Sequence, residues 1–92
     1  MEVKRFHIFV RGRVQGVGFR YFTQDIANSL RLSGWVRNTS DGRVEIEVQG
    51  NQELIDQFLQ EINEGPSLSY VADLNITEVV LSSDSGEFRI RH

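Results

Sequence analysis

Apolar and polar positions along the chain repeat at two different intervals, and the switches between them outline the elements. Phe6, Ile8 and Val10 alternate with Arg5, His7, Phe9 and Arg11, the two-residue period of a half-buried strand. Phe19, Phe22, Ile26, Ala27 and Leu30 then recur at helical spacing, and Ser33-Gly34 is expected to stop that helix, with Gly34 near its C′ position. Trp35 to Thr39 predicts a short strand and Ser40-Asp41-Gly42 a hairpin turn. Val44, Ile46 and Val48 set against Glu45, Glu47 and Gln49 form a clean alternation. Asn51 is the expected N-cap of the strongest amphipathic helix, marked by Leu54, Ile55, Phe58, Leu59 and Ile62 and ended by Gly65-Pro66. Residues 70–81 predict a long strand, and Phe88 with Ile90 a short one at an edge.

The order is therefore β-α-β-β-α-β with a further β at the end. It fits an α+β fold, the ferredoxin-like split βαβ sandwich, in which an antiparallel sheet carries two helices on one face. The alternating strands require the other face to meet water. Trp35 is expected at a strand end beside the first helix. The carboxylates, mostly on the outer face of the second helix or on the open sheet face, are expected to be solvated.

Composition narrows the functional classes. Ninety-two residues predict one domain, 1–92, with a small core. No cysteine is present, which removes disulfides, zinc thiolates and a cysteine nucleophile together. The start alternates and carries charge, unlike a signal peptide, and no apolar run reaches the length of a membrane span. A soluble, cytoplasmic, monomeric protein is expected. Net charge is −3, but residues 1–44 carry +5 and residues 45–92 carry −8. That balance suits a small anion attracted to one end better than a nucleic-acid coat. His7 and His92 are the only histidines and lie at opposite ends of the chain, so no two-histidine metal site is indicated, and neither metal nor cofactor is expected.

Chemistry concentrates in Gly12 to Arg20, GRVQGVGFR, between the first strand and the first helix. It is not a P-loop, because neither Gly16 nor Gly18 is followed by lysine. It is not a dinucleotide fingerprint, because Tyr21 stands where a third glycine is needed. What remains is a tight turn or an anion cradle. Glycines let successive N–H groups turn inward, and the helix start adds unpaired donors and partial positive charge. Arg20 favours the cradle: a cation in a first helical turn opposes the macrodipole by about 0.3–1 kcal/mol unless an anion sits between them. Its planar fork also grips phosphate in two places. On these residues alone a structural turn with a solvated arginine stays open, and Asn38 reads more readily as a turn residue before Asp41-Gly42.

The stretch Gly12 to Arg20 resembles the first signature of the acylphosphatases. Gly34-Trp35-Val36-Arg37-Asn38-Thr39-Ser40-Asp41-Gly42-Arg43-Val44, continuing to Gly50, is similar to their second. With length and element order, the resemblance covers essentially the whole chain. It implies an enzyme, a hydrolase acting on the phosphorus-containing anhydride of acyl phosphates, with no metal and no covalent intermediate. It implies that Arg20 binds the phosphoryl group, that backbone N–H groups of Gln15, Gly16, Val17, Gly18, Phe19 and Arg20 complete the substrate cradle, and that Asn38 orients the attacking water, with Thr39 assisting from alongside. Inorganic phosphate would be product and competitive inhibitor. One departure is the last residue, His92, where such chains usually close on an aromatic. A free-standing enzyme is expected rather than a unit of a larger carbamoyl-phosphate-handling protein. The alternative of another class is a non-catalytic anion- or RNA-binding ferredoxin-like module, whose open face would carry basic and aromatic groups; Glu45 and Glu47 argue against it.

Overall fold

The computed structural model describes residues 2–83 and 86–92. In chain order the elements are β1 (Val3–Arg13), α1 (Phe19–Ser29), β2 (Ser33–Asn38), β3 (Val44–Asn51), α2 (Gln52–Glu64), β4 (Tyr70–Val79) and β5 (Phe88–Ile90). They build one sheet in the order β4-β1-β3-β2-β5. β3 runs antiparallel between β1 and β2, and β1 antiparallel between β3 and β4. Two βαβ units thus interleave, the split arrangement expected from the element order.

β5 gives the sheet a mixed character, since it lies parallel to β2, with Gly34 opposite Phe88 and Val36 opposite Ile90. The cause is topological. β4 ends opposite Arg5, at the same end of the sheet where β2 begins opposite Gln49. The chain crosses that end, held where Gln49 Nε2 donates to the Ser82 carbonyl at 3.1 Å and Ser82 N–H donates to Gln49 Oε1 at 2.8 Å. It then starts β5 in the direction of β2.

The core lies between the sheet and the two helices. Ile8 and Val10, Val44 to Val48 at alternate positions, and Val36 supply the sheet side; Phe19 and Ala27, then Ile55, Phe58 and Ile62, supply the helix side. Phe58 faces Phe88 with ring centroids 6.2 Å apart, tying the short edge strand to α2. Thr23, fully buried among these, satisfies its hydroxyl by donating to the Phe19 carbonyl at 2.8 Å.

The helix ends follow local chemistry. Asn51 caps α2 as expected, its Oδ1 accepting from Glu53 N–H at 2.7 Å, and Gly65 closes it at φ 70°. The stop of α1 is not at Gly34. Arg31 takes the left-handed position at φ 57°, Leu32 N–H reaches the Ala27 carbonyl at 2.9 Å and Arg31 N–H the Asn28 carbonyl at 3.1 Å. These bonds define a Schellman motif, with Leu32 buried as its apolar anchor. Gly34 serves another purpose: at φ 137°, a Cβ there would stand 1.9 Å from the Glu47 carbonyl oxygen, so only glycine lets β2 approach β3.

Candidate active site

β1 and β2 point the same way, so their C-terminal ends and the start of α1 meet at one end of the sheet. Residues 14–18 bridge β1 to α1 there, anchored by Val14 and Phe19, both almost wholly buried. Between those anchors Gly16 and Gly18 have φ of 75° and 77°, while Gln15 and Val17 keep the ordinary negative sign. That alternation of hand is the conformation that turns successive N–H groups toward one concave side. An added Cβ would meet nothing within 4 Å at either glycine, so glycine is needed for its backbone angle, and the space beside it is open.

Gly18 caps α1 without a side-chain bond, no acid stands in the first turn, and the first helical bond runs from Phe22 N–H to the Gly18 carbonyl at 3.0 Å. Among the described residues no acceptor meets the backbone N–H groups from Gln15 to Tyr21. Arg20 is partly buried in this first turn and makes no hydrogen bond or ion pair among the described residues. Arg5, Arg11, Arg37 and Arg43, by contrast, each have a carboxylate oxygen within 3.0 Å. A run of donors, a helix N-terminus and an unpaired guanidinium therefore share one short segment with no anion of the chain among them.

Asn38 ends β2 opposite Val44. It shares a strand face with Val36, which is fully buried beneath the helices, so its side chain lies on the helix side of the sheet, the side from which α1 begins. No side-chain bond of Asn38 occurs among the described residues. The loop and this strand end are joined by Gln15, whose side-chain Nε2 donates to the carbonyls of Thr39 and Arg43, each at 2.8 Å. The sequence points to Gln15 for its N–H alone. Nothing local signals that its side chain crosses to a hairpin 24 and 28 positions further on.

Thr39 belongs to the turn. Its N–H donates to the Arg43 carbonyl at 2.9 Å, and its hydroxyl accepts from Arg43 N–H at 3.1 Å and donates to the Asp41 carboxylate. That donation, with help from Arg43, holds the Asp41 carboxyl below the usual carboxylate range. Thr39, the residue expected to assist Asn38 from alongside, thus uses its hydroxyl to close the hairpin.

The open sheet face departs from expectation. Glu45 and Glu47 are not solvated: Glu45 lies 2.6 Å from His7 Nε2 and 2.6 Å from Arg37 Nε, with its side chain 12% exposed, and Glu47 lies 2.7 Å from Arg5 Nε. Burial opposes the Glu45 charge, yet the bonds from His7 and Arg37 outweigh it, and its pKa is lowered. Trp35 also lies on this face, opposite Glu47, with the Arg91 guanidinium 4.7 Å from its ring centroid, and not beside α1. Among the described residues no three or more His, Asp or Glu side chains are grouped to hold a metal, and no helix is long and apolar enough to cross a membrane.

A ferredoxin-like α+β sandwich with vacant backbone donors and a spare arginine at a strand-to-helix loop is a protein suited to hold a phosphate-type anion. Known proteins give that class a narrower identity. The acylphosphatase family model matches residues 6–90. An acylphosphatase of Geobacillus kaustophilus is 48% identical over 90 residues, spanning 98% of this chain and 96% of that protein. The crystal structure of acylphosphatase from Bacillus subtilis superposes with a TM-score of 0.93 at 40% identity, over 99% of this chain and 100% of that one. A full-length HypF, crystallised with phosphate and nucleotide, matches 99% of this chain with only 12% of its own length, at TM-score 0.90 and 38% identity. The chain belongs to the acylphosphatase family and is a hydrolase of that kind.

Proposed function

We propose that the chain hydrolyses acyl phosphates by holding the phosphoryl group in the N–H cradle of Gln15, Gly16, Val17, Gly18, Phe19 and Arg20, with the Arg20 guanidinium on its oxygens, while Asn38 directs a water in line. The observation that carries this reading is the run of N–H donors that meets no acceptor, beside an Arg20 with no partner, among the described residues. An oxyanion supplies acceptors for both, and it turns the repulsion between Arg20 and the helix start into attraction.

The chemistry asks for little more. The leaving group is a carboxylate whose conjugate acid has a pKa near ~4, so it departs without a general acid. Phosphoryl transfer passes through a loose transition state, so the water needs placement more than deprotonation. Fixed positive charge on the equatorial oxygens and an aligned nucleophile supply the rest. Asparagine is no base at neutral pH, but its carbonyl accepts from water and its amide donates. No step in this scheme calls on a metal or cofactor.

The described residues share one sheet and one core, which supports the reading of residues 1–92 as one acylphosphatase unit, and a monomer is the proposed working form. The cytoplasm is the proposed location, in keeping with a chain that needs no disulfide. Nucleic acid is not a proposed partner: Arg5, Arg11 and Arg37 on the open face are each paired with a carboxylate, and the Phe9 and Trp35 rings are covered by Arg43 and Arg91. Phosphate-binding charge and stacking surface are both already used.

Turnover of a synthetic acyl phosphate in excess chelator tests the proposal. Arg20→Ala is expected to weaken binding and rate together, and Asn38→Ala to lower kcat by about 10²-fold with little change in KM. Full kcat in the Asn38 variant removes its assignment; unchanged phosphate inhibition in the Arg20 variant removes the cradle.

A further inference from the structure

Among the described residues the side chain of Gln15 spans the gap between the loop that would hold phosphorus and the strand end that would hold water. Its amide nitrogen carries two hydrogens, and both are used, one on the Thr39 carbonyl and one on the Arg43 carbonyl, each at 2.8 Å. Thr39 follows Asn38 directly, and Thr39 N–H bonds the Arg43 carbonyl in turn at 2.9 Å. One end of this side chain is fixed to the N–H run of the loop, the other to the peptide that follows Asn38.

We infer that Gln15 is a positioning residue that sets the separation between the phosphoryl cradle and Asn38. This inference rests on the proposed division of labour between those two parts. In-line attack demands that the water lie about 3–3.5 Å from phosphorus on the axis of the breaking bond, and misplacement by 1 Å costs about a hundredfold. Neither half of the site can enforce that distance alone, because the loop belongs to the β1–α1 connection and Asn38 to β2. The two bonds of Gln15 fix it, and they do so with an amide, which is a donor here at both positions; a carboxylate in its place would face two carbonyl oxygens with no proton to give.

The geometry separates binding from catalysis. Gln15→Met keeps the length and bulk of the side chain and removes both donors. The cradle N–H groups remain, so inhibition by inorganic phosphate should stay within about twofold, while kcat should fall roughly 10- to 100-fold. In an Asn38→Ala background the same substitution should have almost no further effect on kcat, because the group it positions has gone. A parallel loss of phosphate affinity, or a full multiplicative loss in the double variant while Asn38→Ala alone is slow, overturns the positioning role and leaves the reading of Asn38 intact. Full kcat in Asn38→Ala overturns that reading, and the inference with it.

Gln15→Glu supplies a second measurement if the methionine variant does not fold. The carboxyl form carries one proton and can restore one of the two bonds. Its kcat relative to the parent should therefore rise as pH falls through the pKa of the new carboxyl, which the two facing carbonyls push upward. A flat ratio across pH 4 to 8 overturns the inference.

Discussion

Arg37 and Glu45 stand opposite each other on β2 and β3, with Arg37 Nε 2.6 Å from Glu45 Oε1, and His7 of β1 meets the second oxygen of the same carboxylate at 2.6 Å. One side chain thus links three neighbouring strands, next to the residue that precedes Asn38. Because the folded pKa of Glu45 is lowered, its contribution is fully present above the unfolded carboxyl value of ~4.3 and is lost as pH falls through the lower folded value. The parent should lose thermal stability between pH 5 and pH 2 more steeply than Glu45→Gln, while at pH 7 the variant should be less stable by about 1–2 kcal/mol, the Arg37 side of the pair being partly open to solvent. Calorimetric melting temperatures across that range decide it; identical slopes would mean that the carboxylate carries no such linkage.

Gly18 makes a separate demand. Its φ of 77° begins α1, and an added Cβ meets nothing within 4 Å, so Gly18→Ala has no clash to relieve. The left-handed angle alone costs an alanine about 1–2 kcal/mol. If the loop keeps its shape, stability falls by that amount and activity survives. If it relaxes to negative φ, the N–H alternation is lost. We expect the second result, a fall in kcat/KM of at least about tenfold, since the strain is relieved where the fold is open. Steady-state kinetics beside a denaturation curve separate the two.

Local pattern made the elements and the loop legible. The alternation in β1 and β3, the helical spacing of Phe58 and Ile62, and the Asn51 cap each depend on residues close in sequence, and the structure places them as expected. The stop of α1 was hidden because the left-handed position is filled by arginine where glycine is the usual signal; buried Leu32 is the clue left in the sequence. The pairing of Glu45 with His7, 38 positions away, and the parallel seating of β5 depend on strand register, which no local pattern carries. Trp35 could have been placed from its neighbours, since Val36 and Asn38 share one face of β2 and leave Trp35 and Arg37 on the other. The candidate site divides in the same way: the glycines, Arg20 and Asn38 stand out in two motifs, whereas the bridging side chain of Gln15 needs the folded chain.

The arginine at the end of α1 allows a stabilising change. Arg31 holds φ 57°, and its side chain is exposed with no bond of its own among the described residues. Glycine adopts that angle freely, although it loses more freedom on folding. The balance should leave Arg31→Gly more stable by about 0.5–1 kcal/mol, seen as a higher denaturant midpoint at unchanged slope, with kcat and KM as in the parent. A lower midpoint would show that this guanidinium contributes more than its backbone strain costs.

Inorganic phosphate should stabilise the fold through the cradle, and the series of Arg20 variants should grade the effect. A ligand bound only by the native state at tenfold its Kd adds about 1.4 kcal/mol, which for a chain of this size raises Tm by roughly 5–10 °C. Arg20→Lys keeps the charge but loses the planar fork, so its shift should be smaller; Arg20→Ala should show least. Asn38→Ala should keep the full shift, because the proposed role of Asn38 concerns the water and not the anion. Sodium chloride at matched ionic strength controls for general screening of surface charge. Were Asn38→Ala to abolish the phosphate shift while Arg20→Ala preserved it, the roles of the two residues would have to be exchanged.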